Sequence, residues 1–226
     1  EKTDGKTPRV TSIAVRNLAS GQTESFSIHK IAEQRKVNFG SIEQNYDSLE
    51  KEMLDEFYGH LGKTKHCTWI HWNMRDINYG FPAIEHRYKV LGGTPIELPE
   101  ERKFDLARAL IDVFGVKYIS HPRLENLVSL NKMTARDFLV GKAEADAFTN
   151  KEFVKLHQST LRKADIMSNI FERLSDGSLK TNAKWKDIYG LSMESVVGYI
   201  KQHWIISALS IVSVVLGVIA KLQGFF

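Results

Sequence analysis

The sequence predicts an α/β or α+β body, in which helices lie against a sheet, followed by a single membrane-spanning helix at the C-terminus. Near the N-terminus, the apolar patterns follow the order strand, strand, helix, strand. The middle of the chain is a series of helical patterns separated by turn residues. The end of the chain is apolar and uncharged over a stretch long enough to span a bilayer.

The composition indicates a folded body. Of the 226 residues, 42% are apolar and 26% are charged, as in globular domains and unlike disordered or many-spanning chains. The single cysteine, Cys67, excludes an internal disulfide and any zinc site that needs several thiolates. A net charge of +4 permits nucleic acid or anionic lipid as a partner without requiring either. No charged and apolar leader opens the chain, so we expect a cytoplasmic body.

Two strands and a helix are predicted first. Residues 9–18 and 23–28 are rich in β-branched residues or alternate in polarity, which predicts a β-hairpin with Gly21 in its turn. Residues 45–61 carry apolar side chains at steps of three or four, which predicts an amphipathic helix. The members of this apolar stripe are Tyr46, Leu49, Met53, Phe57 and Leu61. The aromatic run at residues 64–73 predicts a buried strand.

Further helices are predicted between turn signals. Residues 81–91 end at a glycine pair, and residues 100–114 follow Pro99 and end at Gly115. We also expect helices at residues 124–130, 134–140, 143–148 and 149–174, with a linker at 175–182. The predicted organisation is therefore a body (1–182), a juxtamembrane segment (183–203) and a transmembrane helix (204–223).

The C-terminal segment is the basis of the membrane prediction. Residues 204–220 carry no formal charge, and a spanning helix needs at least roughly 17 residues. Lys221 can reach the interface by snorkelling, and Trp204 suits an interfacial anchor. The alternative is a buried core helix, but such a helix usually has a polar face.

Small residues on this segment allow close helix packing. Ser210, Ser213 and Gly217 lie near one face, which favours self-association in lipid. Alternatively, the serine hydroxyls bind carbonyls of their own helix. Basic residues precede the segment more often than they follow it, which predicts a single pass with the body cytoplasmic. These basic residues are Lys184, Lys186 and Lys201 before the segment and Lys221 after it.

Residues 70–76 (Ile-His-Trp-Asn-Met-Arg-Asp) predict a strand that enters a polar turn before a helix. They resemble the second motif of the DEDD exonucleases of the ribonuclease H-like fold, in which Asp76 would match a metal-binding aspartate. Residues 104–108 resemble the next helix start of that family, and residues 157–162 resemble its final motif. The resemblance covers about residues 9–174 and implies a ribonuclease H-like mixed sheet with flanking helices.

The departures from that family are in the metal ligands. Two-metal hydrolysis needs several carboxylates around the scissile phosphate. The first strand reads Ala-Val-Arg-Asn at residues 14–17 instead of carrying an acidic pair, and Arg162 stands where the last aspartate is expected. An arginine repels a metal ion but can hold a phosphate. The resemblance therefore implies a nuclease-shaped binding module without a cofactor.

Candidate site residues follow from this comparison. For nucleic acid or a protein partner they are His71, Trp72, Arg75, His157, Arg162 and Lys163. Each also has a structural interpretation: His71 as a core histidine, one of Trp69 and Trp72 as core, Asp76 as a helix cap, and the basic residues as solvated surface. If the chain is instead an active nuclease, Asp76, Asp165 and Glu24 are the candidate catalytic residues, with Mg²⁺ or Mn²⁺ as cofactor.

Three functions remain open from the sequence. The first is a membrane-anchored sensor or effector whose body recognises nucleic acid, a nucleic-acid-bound protein or another protein. By analogy, such a protein suits a toxin or an antiviral (anti-phage) defence component that acts on the membrane. The second is an active membrane-tethered nuclease, and the third is a tail-anchored scaffold that binds only protein.

Overall fold

The structure is a computed structural model that describes residues 9–76 and 79–183. The described residues combine helices with short strands in two compact units. The first unit contains the chain up to Phe104, together with Arg136–Asp165. The second contains Asp105–Ala135 and, among the described residues, 166–183.

The N-terminal β-hairpin is confirmed. Strand β1 (Ser12–Arg16) pairs antiparallel with β2 (Thr23–Ser27), and Ser12 lies opposite Ser27. Gly21 has φ +71°, a conformation that favours glycine, and its N–H donates to the Asn17 carbonyl at 2.8 Å. Helix α1 (Ile28–Gln34) follows β2 directly.

Helix α2 (Tyr46–Thr64) forms the centre of the core of the first unit and confirms the predicted amphipathic helix. A 3-10 turn at Phe39–Ser41 precedes it. The stripe residues Tyr46, Leu49, Met53, Phe57 and Leu61 are all buried, as the spacing predicts. Trp69 packs against this core, and its ring meets that of Phe57 edge to face, with 6.2 Å between the ring centroids.

The strand predicted at residues 64–73 is shorter in the structure. Helix α2 continues to Thr64, so only Trp69–His71 form strand β3. The chain then makes a small antiparallel hairpin of β4 (Arg75–Asp76) and β5 (Tyr79–Gly80) before α3. Helix α3 (Phe81–Val90) confirms the predicted helix, and Gly92 beyond its end has φ +79°.

The predicted start of the next helix is wrong. Residues 100–102 form a 3-10 turn, Lys103–Asp105 form strand β6, and α4 spans Leu106–Phe114. The Asp105 side chain accepts hydrogen bonds from the N–H groups of Ala107 and Arg108, at 3.0 and 3.3 Å. This capping fixes the helix start six residues later than expected.

In the second unit, α5 (Arg123–Leu130) confirms a predicted helix. The segment predicted as a linker is hydrogen-bonded within this unit. The Asn131 side chain donates to the Lys180 carbonyl at 3.0 Å and accepts from the Lys180 N–H at 2.8 Å. The Asn182 N–H donates to the carbonyl of the buried Tyr118 at 2.7 Å.

The helix predicted at residues 134–140 is wrong. Asp137 has φ +65°, and the Leu139 N–H donates to the Ser159 hydroxyl at 3.0 Å instead of joining a helix. Helix α6 (Gly141–Thr149) confirms a predicted helix. Helix α7 (Phe153–Ser175) starts later than the predicted residue 149. Lys151, between α6 and α7, has φ +60°, which is not a helical conformation.

The described strands form three two-stranded sheets, in which β1 pairs with β2, β3 with β6, and β4 with β5. The ribonuclease H-like mixed sheet remains a prediction. Among the residues with described structure, no helix is both long and apolar enough to span a bilayer. The predicted transmembrane helix at 204–223 and most of the juxtamembrane segment lie outside the described residues.

Candidate functional site

The segment that resembles an exonuclease motif contains a buried histidine. His71 is 2% exposed, and its Nδ1 accepts a hydrogen bond from the Met74 N–H at 3.2 Å. Its ring lies edge to face with Phe81, at 5.5 Å between centroids. The interpretation of His71 as a core histidine is confirmed, and its side chain helps to shape the turn after β3.

The polar end of this segment lies on the small β4–β5 hairpin. Arg75 and Asp76 are exposed in β4, and Trp72 is half-buried. The interpretation of Asp76 as a helix cap is wrong, because Gly80 occupies the N-cap position of α3. Four residues separate Asp76 from the helix start at Phe81.

The basic residues predicted on α7 are paired within the first unit. Arg162 donates to Asp165 at 2.9 Å and to the Arg136 carbonyl at 3.0 Å. Lys163 donates to both carboxylate oxygens of Glu144, at 2.7 and 2.8 Å. Their positive charges are therefore largely compensated by neighbouring carboxylates, which weakens their attraction for phosphate.

His157, also predicted as a binding residue, is 5% exposed. Its ring contacts that of His29 in α1, with 4.9 Å between centroids. Burial lowers the pKa of His157 to about 4, and the nearby His29 and Lys30 act in the same direction. The His157 side chain is therefore neutral at pH 7 and belongs to the packing between α1 and α7.

The candidate catalytic carboxylates lie on three different elements. Asp76 is on β4, Asp165 is on α7 beside Arg162, and Glu24 is exposed on β2. Among the residues that the structure describes, no group of three or more His, Cys, Asp or Glu side chains is arranged to hold a metal ion.

Reasoning from the sequence missed a buried ion pair between α2 and α3. Glu50 is fully buried, and one of its oxygens accepts from Arg87 at 2.6 and 3.0 Å. Its other oxygen accepts from the Val10 N–H at 2.7 Å, and Arg87 also binds Asp47 at 2.6 Å. Three segments distant in sequence thus meet at one carboxylate.

Burial and hydrogen bonding shift the pKa of Glu50 in opposite directions. Burial raises the pKa of the Glu50 carboxyl, while the hydrogen bonds from Arg87 and Val10 lower it. The hydrogen bonds to Glu50 raise the pKa of Arg87, so its guanidinium stays charged. The sequence did carry a signal for this pair, because Glu50 and Arg87 each interrupt the apolar face of an amphipathic helix.

The residues predicted to act in the membrane, Trp204, Ser210, Ser213 and Gly217, lie outside the described residues. Apart from Glu24 on β2, the described candidates lie in the turn after β3 and on α7. The internal contacts there are made by His71, His157, Arg162 and Lys163. In comparisons with known proteins, the chain matches no protein-family model, no curated protein and no solved structure.

Proposed function

We propose that the chain is a membrane-tethered binding module whose body recognises a protein partner and whose C-terminal segment holds it at a lipid surface. The observation that supports a protein partner is the internal pairing of the α7 cations, Arg162 with Asp165 and Lys163 with Glu144. Protein cations that bind the phosphates of a nucleic acid displace its counterions, and this release supplies much of the binding free energy. Cations already neutralised by carboxylates supply little of that free energy.

The tether rests on the uncharged residues 204–220. Replacing Val212 and Val215 together by arginine is expected to move the full chain from the membrane pellet to the soluble fraction after alkaline carbonate extraction. Each charge near the centre of a spanning helix costs about 2.5–3.5 kcal/mol. The leucine double variant at the same positions is the control and should stay in the pellet. A parent protein found in the soluble fraction would contradict the tether.

The choice of partner is tested by unpairing the α7 cations. The parent chain in detergent is expected to bind labelled single- or double-stranded DNA and RNA weakly in fluorescence anisotropy at 50 mM salt. The double variant Glu144→Gln, Asp165→Asn is expected to bind several-fold more tightly, with a steeper loss of affinity as salt rises, because Lys163 and Arg162 are then unneutralised. The double variant Glu56→Gln, Glu101→Gln removes the same charge from exposed positions and controls for net charge.

Tight binding of nucleic acid by the parent, abolished by Arg162→Gln with Lys163→Gln, would instead support nucleic acid as the ligand. The same samples test the nuclease alternative when Mg²⁺ or Mn²⁺ is added. Cleavage that is lost on Asp76→Ala would establish a metal-dependent nuclease and overturn the proposal of a binding module.

A further inference from the structure

The N-terminal half of α7 is held to the first unit along one face. Its Phe153 ring contacts Tyr46 of α2 at 6.1 Å, and the His157 ring contacts His29 of α1 at 4.9 Å. One turn further along, Thr160 shares a 2.7 Å hydrogen bond with Ser12 of β1. The histidine contact therefore lies in the middle of the seam between α7 and the N-terminal elements.

One ring nitrogen of each histidine is buried at this contact. The Nδ1 of His29 and the Nε2 of His157 are both buried, and neither has a hydrogen-bond partner among the described residues. Neutral rings pack in this contact at little electrostatic cost. Protonating both would place two like charges in contact, and His157 would carry its charge at a buried position.

The neighbouring groups strengthen this preference for the neutral form. Lys30, on α1, disfavours the charged form of both rings, whereas Glu33 favours that of His29 only. The flanking contacts with α2 and β1 are made by neutral side chains: Phe153 with Tyr46, and Thr160 with Ser12. Among the described residues, the neighbouring groups that act on the pKa of His157 are His29 and Lys30, and both disfavour its charged form.

The sign of the pH dependence follows. Burial lowers the pKa of His29, and that of His157 to about 4, from a model-peptide value of 6.5. Between pH 6.5 and 4, the unfolded or released state therefore binds more protons than the folded state with α7 in place. The contribution of the pair to stability is fully present above pH 6.5 and is lost as the pH falls towards 4.

We propose that His29 and His157 form a proton-operated latch, which holds the N-terminal half of α7 against α1 at neutral pH and releases it on acidification. The latch does not depend on the proposed binding function.

The test measures the position of α7 directly. Spin labels are placed on the exposed positions Gln34 and Gln158 by cysteine substitution, in the full chain with Cys67→Ser, in detergent. Pulsed electron–electron double resonance is expected to give one narrow distribution of the distance between the two labels at pH 7.5. At pH 4.5 we expect a broader distribution shifted to longer distances, with the change between pH 6.5 and 4.

Two substitutions separate the latch from general acid effects. The double variant His29→Phe, His157→Phe keeps two aromatic rings but removes the proton sites, and it should keep the narrow distribution down to pH 4.5. The control His86→Phe removes an exposed histidine of α3 and should respond to pH like the parent. An unchanged parent distribution at pH 4.5, or an equal response from the double variant, would overturn the latch.

A measurement on the unsubstituted histidines keeps the proposal testable if the double variant does not fold. The ¹³C-labelled rings of the parent are titrated by NMR. Both His29 and His157 are expected to titrate below 6.5 and together with the α7 signals. Ordinary titration of both rings near 6.5, with no change in the α7 signals, would likewise overturn the latch.

Discussion

Replacing Arg87 by methionine is expected to destabilise the protein by about 3–5 kcal/mol. The substitution leaves Glu50, which is fully buried, without the cation that binds it. The reason is the cost of an uncompensated charge in a medium that solvates it poorly, and not the loss of side-chain volume. Urea unfolding of the full chain in detergent, monitored by circular dichroism, measures the change in the free energy of unfolding.

The pH dependence identifies the cause of this destabilisation. Burial already raises the Glu50 pKa, and removal of Arg87 raises it further. The folded variant then holds a proton that the unfolded chain releases, so the loss of stability is smaller at pH 5 than at pH 8. A loss independent of pH would contradict this explanation.

Two further variants serve as controls for Arg87→Met. Glu50→Gln in the Arg87→Met background removes the unpaired charge while the amide oxygen still accepts from the Val10 N–H, so stability should be partly restored. Lys89→Met, at an exposed position of α3, should change the free energy of unfolding by less than about 0.5 kcal/mol.

Replacing Gly80 by alanine is expected to cost roughly 3 kcal/mol and to open the β4–β5 hairpin. Gly80 has φ +128° and ψ −159°, a region that side-chain-bearing residues rarely occupy. A Cβ there would also overlap the backbone of Met74, which cannot move aside as a flexible side chain can. The measurements are thermal unfolding and the hydrogen exchange of the Phe81 N–H, which donates to the Met74 carbonyl at 3.3 Å.

Gly59 provides the matched control for Gly80. It lies inside α2, and a Cβ there would meet nothing within 4 Å. Gly59→Ala should therefore stabilise the protein by about 0.5–1 kcal/mol, since alanine favours the helix. If Gly80→Ala were as stable as the parent, the positive φ at Gly80 would be refuted.

Local patterns predicted the elements that depend on neighbouring residues. The β1–β2 hairpin, α2 and α3 follow from alternation, from an apolar stripe and from glycine pairs that end a helix. The predictions failed where a side chain binds backbone groups in competition with the predicted helix, whether that side chain is distant or close in sequence. Leu139 bonds to Ser159 instead of continuing a helix, and the Asp105 cap sets the start of α4.

In the candidate site too, the sequence predicted which residues are notable but not which distant residues they contact. Sequence reasoning identified His71 and the α7 cations as notable, and correctly gave the core histidine as one interpretation of His71. It did not identify the carboxylates that bind the α7 cations, because Lys163 and its partner Glu144 are 19 residues apart on different helices. Pairing at that distance depends on how α6 and α7 are placed, which no local pattern records.

By itself, the sequence determined the helix and hairpin patterns of the body and the uncharged character of residues 204–220, because these depend on which residue types follow one another. Only the tertiary structure decided which charged groups are paired inside the fold, Glu50 with Arg87 and Lys163 with Glu144, and that His157 is buried against His29. The reason is that charge compensation and burial depend on distances between remote segments, which packing of the whole chain sets.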